Sequence, residues 1–354
     1  FTGTCGTCGA IRVDNQIGME ATPDAYVEKL VALFREVRRV LRDDGTVWLN
    51  LGDSYAGSQH GYGTVKPTVK QASNAGTLDL MVRKASPVPT GLKAKDLVGI
   101  PWRVAFALQA DGWYLRADII WHKPNPMPES VTDRPTRSHE YIFLLTKSAT
   151  YYYDAEAIKE PGVGTEYDKT RRPKNRMAGT RYLTEGKGQV AVGESLGKGS
   201  GTRNRRDVWT VPTTGYKGAH FATFPPALIE PCILAGTSEG KACGTCGAPR
   251  ERLVKIQRPA RDDEGRTHGT AEQRMGKSPP PERGWEHETE TLGWEKACVC
   301  ADHYEPAPCV VLDPFGGAGT TGLVAARWGR DAVLIELNPE YAELARRRIE
   351  GECG

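Results

Sequence analysis

The chain has 354 residues, of which 39% are hydrophobic and 26% are charged, and its formal net charge is +3. This length is enough for one large α/β domain with insertions or for two ordinary domains. The sequence shows no run of eighteen apolar residues and no signal peptide. We therefore expect no membrane span and a cytoplasmic location.

The first predicted element is a helix over residues 22–42. Thr22 can cap it, Pro23 suits its first position, and apolar residues recur at helical spacing. A short buried strand over 46–53 follows and ends on the polar Asp53. The next predicted elements are a loop-like stretch over 57–93, a helix over 101–112, a strand over 114–123, an irregular loop over 124–139 and a strand over 141–148.

The second half begins with a loop-rich stretch over 154–206 and returns to the core through a predicted helix over 227–236. Residues 247–297 are charged and rich in proline, as expected of a surface insertion. The predicted elements that close the chain are a strand over 310–313, a glycine turn, a helix over 320–328, a strand over 331–336 and a helix over 339–349. Alternating helices and strands predict an α/β fold with a mostly parallel sheet covered by helices.

Positive charge is concentrated between residues 166 and 207, which hold eleven Lys and Arg against five Asp and Glu. A basic, glycine-rich segment of this kind can face the phosphates of a nucleic acid. A solvated, mobile loop is the alternative interpretation of the same composition.

The stretch LDPFGGAGTTG, at residues 312–322, places a glycine turn between a strand and a helix. Gly317, Gly319 and Gly322 fit the G-x-G-x-x-G pattern, and Glu336 follows Gly316 by twenty residues, at the end of the next strand. An acidic side chain there can accept hydrogen bonds from ribose hydroxyls. Dinucleotides such as NAD and S-adenosylmethionine both fit this pattern, and glycines needed only for a tight turn are the structural alternative.

Three features favour S-adenosylmethionine over NAD. Asp313 directly precedes Pro314 and the glycines, where a carboxylate can meet the amino group of a methionine moiety but would repel a pyrophosphate. Only about 35 residues follow the turn, too few for the second nucleotide-binding half that a dinucleotide requires. Asn338 is placed two residues after Glu336, where it can meet an adenine edge.

Several motifs resemble those of the amino-methylating DNA methyltransferases, which modify N4 of cytosine or N6 of adenine. The matching stretches are DPFGGAGTTG (313–322) with LIELNPEYAELARRRI (334–349), DRPTRSHEYIFLLTKS (133–148), HFATFPPALIEPCILAG (220–236) and WLNLGDSYAG (48–57). The resemblance covers almost the whole chain. It implies a Rossmann-like S-adenosylmethionine-dependent methyltransferase fold, with helices on both faces of the sheet and in the permuted β-type order. In that order the cofactor half comes last, which explains the C-terminal position of the glycine turn.

The resemblance also implies site residues. Those expected at the cofactor are Asp313, Pro314, Phe315, Gly316, Gly317, Gly319, Thr320, Thr321, Glu336 and Asn338, with Phe221, Thr223 and Pro225 on its other side. Those expected at double-stranded DNA are Asp53, His122, Lys123, Asn125, Arg134, Arg137, His139, Lys169, Arg171, Arg172, Lys174, Arg176, Arg203, Arg205 and Arg206. A helix cap or turn is the alternative for Asp53, and surface ion pairing is the alternative for Arg134 and Arg137.

The family's catalytic motif is Ser, Asp or Asn, then Pro-Pro, then an aromatic residue. It accepts the amine N–H bonds of a flipped base and stacks on its ring. Residues 224–227, Phe-Pro-Pro-Ala, lack the polar first residue, and residues 278–281, Ser-Pro-Pro-Pro, lack the ring. The motif is therefore expected upstream of residue 1. The chain is interpreted as a fragment of an active enzyme, with a catalytically inactive cofactor- or DNA-binding homologue as the alternative.

The cysteines occur mostly in short-spaced pairs, and the hexapeptide CGTCGA occurs twice, at 5–10 and 243–248. Two thiolates three residues apart, with glycine in the turn, are typical of a structural zinc site. Cys243 and Cys246 can share zinc with Cys298 and Cys300, or with Cys5 and Cys8 instead. Free buried cysteines are the alternative.

The sequence does not indicate whether a restriction endonuclease is a partner of this protein. These predictions divide the chain into six segments. The segments are a partial zinc knuckle (1–21), the catalytic half (22–153), a basic target-recognition segment (154–215), a cofactor-side motif with its helix (216–242), a cysteine-bearing insertion (243–305) and the S-adenosylmethionine-binding half (306–354).

Overall fold

The structure is a computed structural model that describes residues 17–57, 88, 91–161, 202–214, 223–257, 288–300 and 305–353. The chain divides into two compact units: residues 1–153, 206–236 and 310–354 form the first, and residues 154–205 and 237–309 form the second. No helix within the described ranges is both long and apolar enough to cross a membrane.

The first unit contains five helices and six strands among its described residues. The helices are α1 (Pro23–Val40), α2 (Ile100–Ala110), α3 (Pro226–Gly236), α4 (Thr320–Arg327) and α5 (Pro339–Cys353). The strands are β1 (Thr46–Leu51), β2 (Tyr114–His122), β3 (His139–Thr146), β6 (Val208–Thr210), β9 (Val310–Asp313) and β10 (Asp331–Leu334). The second unit contains β4 (Glu160–Pro161), β5 (Thr202–Arg203), β7 (Glu251–Gln257), β8 (Glu288–Glu295) and a short 3₁₀ helix, Glu156–Ile158.

Strands β1, β3, β2 and β6 form one sheet in that order, and β9 pairs with β10 in another. The prediction of a mostly parallel sheet differs from this arrangement. β3 runs antiparallel to both β1 and β2, while β2/β6 and β9/β10 are parallel. The physical reason is that residues 123–138 join β2 to β3 without a helical crossover, so β3 has to run back along β2. The sheet is therefore mixed.

The amphipathic pattern of the first predicted helix is borne out by its packing. The Thr22 Oγ1 atom accepts a hydrogen bond from Ala25 N at 3.2 Å, and Pro23 occupies the first turn of α1. Leu30 and Phe34 of α1 pack in a core cluster with residues of α2, β1 and β3. This cluster covers β1 and so fixes the position of the residues that follow it, including Asp53.

Helix α3 is apolar on most of its surface and packs on two sides. Leu228 and Cys232 lie in a cluster with residues of β2 and β6, while Ile233 packs against Val324 and Ala325 of α4. A helix that is apolar on more than one side is typically buried between other elements. Helix α3 therefore joins the packing of the four-stranded sheet to that of the β9–α4 segment.

The insertion of the second unit contains a β-hairpin that the sequence did not predict. β7 and β8 pair antiparallel from Glu251–Glu295 to Gln257–Glu288. Charged residues in both strands obscure the alternation of polar and apolar residues by which a strand is predicted from sequence. The contacts that stabilise the hairpin are polar as well. The guanidinium of Arg252 lies 4.3 Å from the ring centre of Trp294 and forms an ion pair with Asp154 at 2.9 Å.

Candidate active site

The predicted glycine turn lies at residues 314–319, between β9 and α4. Gly317 and Gly319 have φ values of +48° and +75°, which favour glycine because other residues carry a Cβ. The backbone N–H of Gly316 donates to the carbonyl of Ile335 at 2.8 Å. A Cβ at Gly316 would lie 3.1 Å from the Leu334 side chain. The turn therefore packs directly on the residues that follow β10.

The carboxylate of Asp313 organises the beginning of this turn. Its Oδ1 accepts a hydrogen bond from the Phe315 N–H at 2.9 Å, and its Oδ2 accepts one from the Thr321 hydroxyl at 2.5 Å. Pro314 is partly buried, and the Phe315 side chain is exposed. Asp313 thus connects the turn to the first residues of α4 and keeps a carboxylate at the carboxyl end of β9.

Glu336 connects the turn to the segment that follows β10. Its Oε2 accepts a hydrogen bond from Gly317 N at 2.8 Å, and its Oε1 accepts one from Asn338 N at 2.8 Å. The Asn338 Oδ1 accepts from Glu340 N at 2.9 Å, at the start of α5. Glu336 and Asn338 therefore lie where the sequence spacing predicted an acidic and an amide side chain, beside the turn.

Arg348 is a residue of this region that the sequence reasoning missed. Its Nη1 donates to the carbonyl of Ala318 at 3.1 Å and to the hydroxyl of the buried Thr320 at 3.0 Å. These two bonds attach α5 to the end of the turn. Its position in a run of three arginines, 346–348, gave no signal to distinguish it from its neighbours.

The residues predicted on the other side of the cofactor have a different environment. Thr223 is partly buried and Pro225 is buried, whereas Phe221 lies outside the described residues. Pro225 lines a cavity of about 310 Å³ together with Arg327 and Trp328, at the C-terminal end of α4. The glycine turn lies at the N-terminal end of the same helix.

Asp53 follows β1, and its side chain is almost fully buried, at 3% exposed. Its Oδ1 accepts hydrogen bonds from the N–H groups of Gly99 and Ile100, at 2.9 and 3.0 Å, where α2 begins. The Oδ2 lies 3.8 Å from the Arg137 Nη1. These contacts make Asp53 a cap of α2, which is the structural alternative considered from the sequence.

The polar residues that end β2 contact neighbouring strands. His122 Nδ1 lies 3.2 Å from the hydroxyl of Thr210 on β6, and Lys123 forms an ion pair with Glu140. Asn125 is held by Thr213, whose N–H donates to the Asn125 Oδ1 at 2.9 Å. These side chains share one edge of the sheet, because His122 pairs with His139 in the β2–β3 register.

Arg134, Arg137 and His139 lie before and at the beginning of β3. Arg134 forms an ion pair with Glu129 at 2.6 Å, and its guanidinium lies 3.9 Å from the ring centre of Tyr55. Burial, together with the positive charges of Arg137 and His122, lowers the pKa of His139 below its ordinary value. These surroundings therefore favour the neutral imidazole of His139.

The basic residues predicted to contact phosphate are only partly within the described ranges. Lys169, Arg171, Arg172, Lys174 and Arg176 lie outside them. Arg203 forms an ion pair with Glu160 at 2.8 Å, where β4 pairs with β5. Arg205 and Arg206 follow β5, and the Arg206 carbonyl accepts a hydrogen bond from Trp209 Nε1 at 2.7 Å.

Four of the predicted metal-binding cysteines are brought together in the second unit. The Sγ atoms of Cys243, Cys246, Cys298 and Cys300 all lie within 4.8 Å of one another. Backbone N–H groups lower the pKa of Cys243 to about 6, whereas a thiol contact with Cys246 raises that of Cys300 to about 12. Cys5 and Cys8 lie outside the described residues.

The strand, the glycine turn held by two carboxylates, and the helix have the arrangement found where α/β proteins bind nucleoside-containing cofactors. The family model of the N6/N4 methylases, described as DNA methylase, matches residues 9–243 and 302–347. Type II methyltransferase M.Cfr9I of Citrobacter freundii is 39% identical over 340 residues, which are 96% of this chain and 76% of that protein. M.SmaI of Serratia marcescens is 40% identical over 334 residues, 94% of this chain and 77% of that protein.

Among solved structures, a PvuII DNA methyltransferase described as cytosine-N4-specific has 15% identity and a TM-score of 0.47, over 95% of this chain and 74% of that one. The extent of the family match and the identity to the two Type II enzymes show that the chain belongs to the N6/N4 DNA methylase family. It is an S-adenosylmethionine-dependent DNA amino-methyltransferase with an α/β fold, which confirms the resemblance stated from the sequence.

Proposed function

We propose that the glycine turn, with Asp313 and Glu336, holds the S-adenosylmethionine of this enzyme. The observation that carries the proposal is that both carboxylates are fixed by backbone N–H groups of the turn or its flanks. A carboxylate oxygen can accept more than one hydrogen bond, so both keep acceptor capacity for a ligand. Asp313 would then meet the cofactor's amino group, and Glu336 its ribose hydroxyls.

The other proposed contacts follow from this orientation. Gly317 leaves room for a ligand to approach the backbone closely, because it carries no side chain and a Cβ there would meet only the Phe315 carbonyl oxygen, at 3.8 Å. The Asn338 Oδ1 caps α5, which leaves the two N–H bonds of its amide available for an adenine acceptor. Phe315, which is exposed beside the turn, would cover the apolar part of the cofactor.

The DNA-facing part of the proposal concerns the edge of the four-stranded sheet. His122, Lys123 and Asn125 at the end of β2 share this edge with His139 at the start of β3. A neutral His139 can donate or accept a hydrogen bond to a base without attracting phosphate. We assign these residues to the target nucleotide, and the lysines and arginines of segment 154–215 to the DNA backbone.

The cofactor supplies an electrophilic methyl group on a sulfonium, and the chain's residues supply binding and orientation. Holding donor and acceptor in line is a large part of the rate enhancement available to such a transfer. A dinucleotide is disfavoured at the same turn, because the carboxylate of Asp313 would face its pyrophosphate. The four clustered cysteines take no part in this proposed transfer.

Calorimetric titration with S-adenosylhomocysteine tests the proposal, with NAD as the control ligand. We expect micromolar binding of S-adenosylhomocysteine, no binding of NAD, and a weakening of at least tenfold in the Asp313→Asn variant. Glu343→Gln is the matched control, because Glu343 is paired with Arg346 and Arg347 on α5 and should leave the affinity unchanged. Binding of NAD alone, or equal affinities in both variants, would contradict the proposal.

Methyl transfer to DNA tests the activity of this chain itself. Incorporation of labelled methyl groups into DNA would support an active enzyme. Cofactor binding without transfer would favour the alternative of an inactive homologue that retains the cofactor site.

A further inference from the structure

The second unit contains a cluster of sulfur atoms at the base of its hairpin. Cys243 and Cys246 precede β7, and Cys298 and Cys300 follow β8. The antiparallel register pairs Glu251 with Glu295, so the two cysteine pairs meet although about fifty residues separate them in the sequence. The four Sγ atoms lie within 4.8 Å of one another.

This spacing is close to what a tetrahedral metal site requires. Four thiolates at the usual Zn–S distance of about 2.3 Å place their sulfur atoms about 3.8 Å apart. Any separation in the cluster would have to shorten by at most about 1 Å, which side-chain rotation can provide. Thiolate ligands with tetrahedral geometry are typical of zinc, and a complete set of four leaves no open position for a reacting molecule.

A tight turn brings Cys243 and Cys246 to the same side of the chain. The Gly247 N–H donates to the Cys243 carbonyl at 2.8 Å, and Gly247 has a φ of +70°, which favours glycine. The Cys243 N–H donates to the carbonyl of Ala248 at 2.8 Å. Two backbone hydrogen bonds therefore hold the turn that carries the cysteine pair, without a bound ligand.

The backbone also joins the two ends of the insertion, at residues that flank the cysteine pairs. Ala242 and Ala307 exchange two hydrogen bonds, at 2.8 and 3.0 Å, which join the two ends of the segment. Lys296, between β8 and the second pair, donates to the carbonyl of Cys300. A lysine at this position places a positive charge beside a centre whose four thiolates exceed the charge of Zn²⁺.

We propose that Cys243, Cys246, Cys298 and Cys300 bind one structural Zn²⁺ ion that closes the base of the β7–β8 hairpin. The ion stabilises the second unit, because it replaces thiol contacts with four metal–sulfur bonds between the two ends of the insertion. Its role is separate from methyl transfer. Among the cysteine pairings open from the sequence, the structure favours this set over one that includes Cys5 and Cys8.

The metal content of the whole chain, purified without chelator, tests this inference. We expect one zinc per chain by elemental mass spectrometry, and four thiols that react with a thiol reagent only after chelation. The double variant Cys298→Ser, Cys300→Ser should lose the zinc, whereas Cys5→Ser, Cys8→Ser should keep it. Loss of zinc only in the second double variant would overturn the assignment, and so would iron in place of zinc.

A second measurement covers the case in which the first double variant does not fold. Cobalt added to the metal-depleted wild-type chain should give the absorption of a tetrahedral thiolate site, and one equivalent of zinc should abolish it. Absence of this absorption, together with absence of zinc in the purified chain, would overturn the proposal, as would two disulfide bonds among the four cysteines. Neither measurement uses cofactor or DNA, so the result is independent of the proposed cofactor site.

Discussion

The backbone N–H of Gly317 donates a hydrogen bond to the Oε2 of Glu336 at 2.8 Å, across nineteen residues of sequence. The positive φ of Gly317 turns its N–H toward the carboxylate, and the second carboxylate oxygen accepts the N–H of Asn338. One acidic side chain therefore shapes both the turn that follows β9 and the turn that follows β10. A ligand seated on either turn would meet the same carboxylate.

The first prediction concerns this carboxylate. Replacing Glu336 by Gln keeps one acceptor oxygen but removes the charge, and hydrogen bonds to charged groups contribute about 1.5–3 kcal/mol. We expect S-adenosylhomocysteine to bind about 10- to 100-fold more weakly, as measured by calorimetry. Glu340→Gln is the control, because Glu340 is exposed in the first turn of α5. Equal affinities in the two variants would remove Glu336 from the cofactor site.

The second prediction separates backbone strain from crowding at the turn. Gly319 and Gly329 both have positive φ values, +75° and +66°. A Cβ at Gly319 would lie 2.7 Å from that of Ala345, whereas a Cβ at Gly329 would meet open space. We expect Gly329→Ala to cost about 1 kcal/mol of unfolding free energy, and Gly319→Ala about 1–3 kcal/mol more, because overpacking adds to strain.

Denaturant unfolding monitored by circular dichroism measures this difference. If both alanine variants lost the same stability, the close packing of the turn against α5 would not be a source of stability. The S-adenosylhomocysteine affinity of Gly329→Ala should be unchanged, because Gly329 lies beyond the other end of α4.

The local part of the site could be predicted from the sequence. The stretch 310–313 forms β9 over the residues expected, because VVLD and the glycines that follow it carry their conformational preferences within a few residues. The contacts that reach further could not be predicted. Asp53 accepts from Gly99 across 46 residues, and Arg348 donates to Thr320 across 28. Tertiary packing brings such distant residues together, and the periodicity of the sequence does not predict which of them will meet.

The third prediction concerns Asp53, which was assigned to DNA from the sequence and caps α2 in the structure. Loss of a capping side chain costs about 0.5–2 kcal/mol, and Arg137 would lose a nearby buried carboxylate as well. We expect Asp53→Ala to lower the unfolding free energy by about 1–3 kcal/mol. Asp53→Asn, which keeps an oxygen for the two N–H groups, should lose less.

A binding measurement distinguishes capping from a DNA contact at Asp53. At a temperature where both variants are folded, capping predicts unchanged DNA affinity in Asp53→Asn. A large change in DNA affinity with little change in stability would instead support the role that was predicted from the sequence.

The fourth prediction is the protonation state of His139. Its pKa is lowered mainly by burial, then by the charges of Arg137 and His122. In the unfolded chain the pKa of His139 is about 6.5, and in the folded chain it is lower. At pH values between these two, the unfolded chain therefore binds the proton more readily than the folded chain does. The stability associated with this residue should rise with pH through that window and be complete above it. Proton NMR of the imidazole, assigned with His139→Gln, measures the pKa, and a value above 6.5 would contradict the prediction.

The fifth prediction concerns the basic segment. If Lys169, Arg171 and Arg172 contact DNA phosphates, replacing each by Gln should flatten the dependence of log K on log salt by about 0.9 per contact removed. The matched control replaces three arginines that form exposed helical ion pairs, Arg39, Arg346 and Arg347.

The control removes the same charge from the chain, so the long-range electrostatic attraction to DNA falls equally in both triple variants. Direct phosphate contacts release counterions and change the slope most, whereas distant charges act through a field that salt screens, and the control measures that smaller contribution. We therefore expect fluorescence anisotropy titrations over a range of salt to give a clearly flatter line for the segment variant than for the control. Equal slopes would mean that the segment attracts DNA without touching its phosphates.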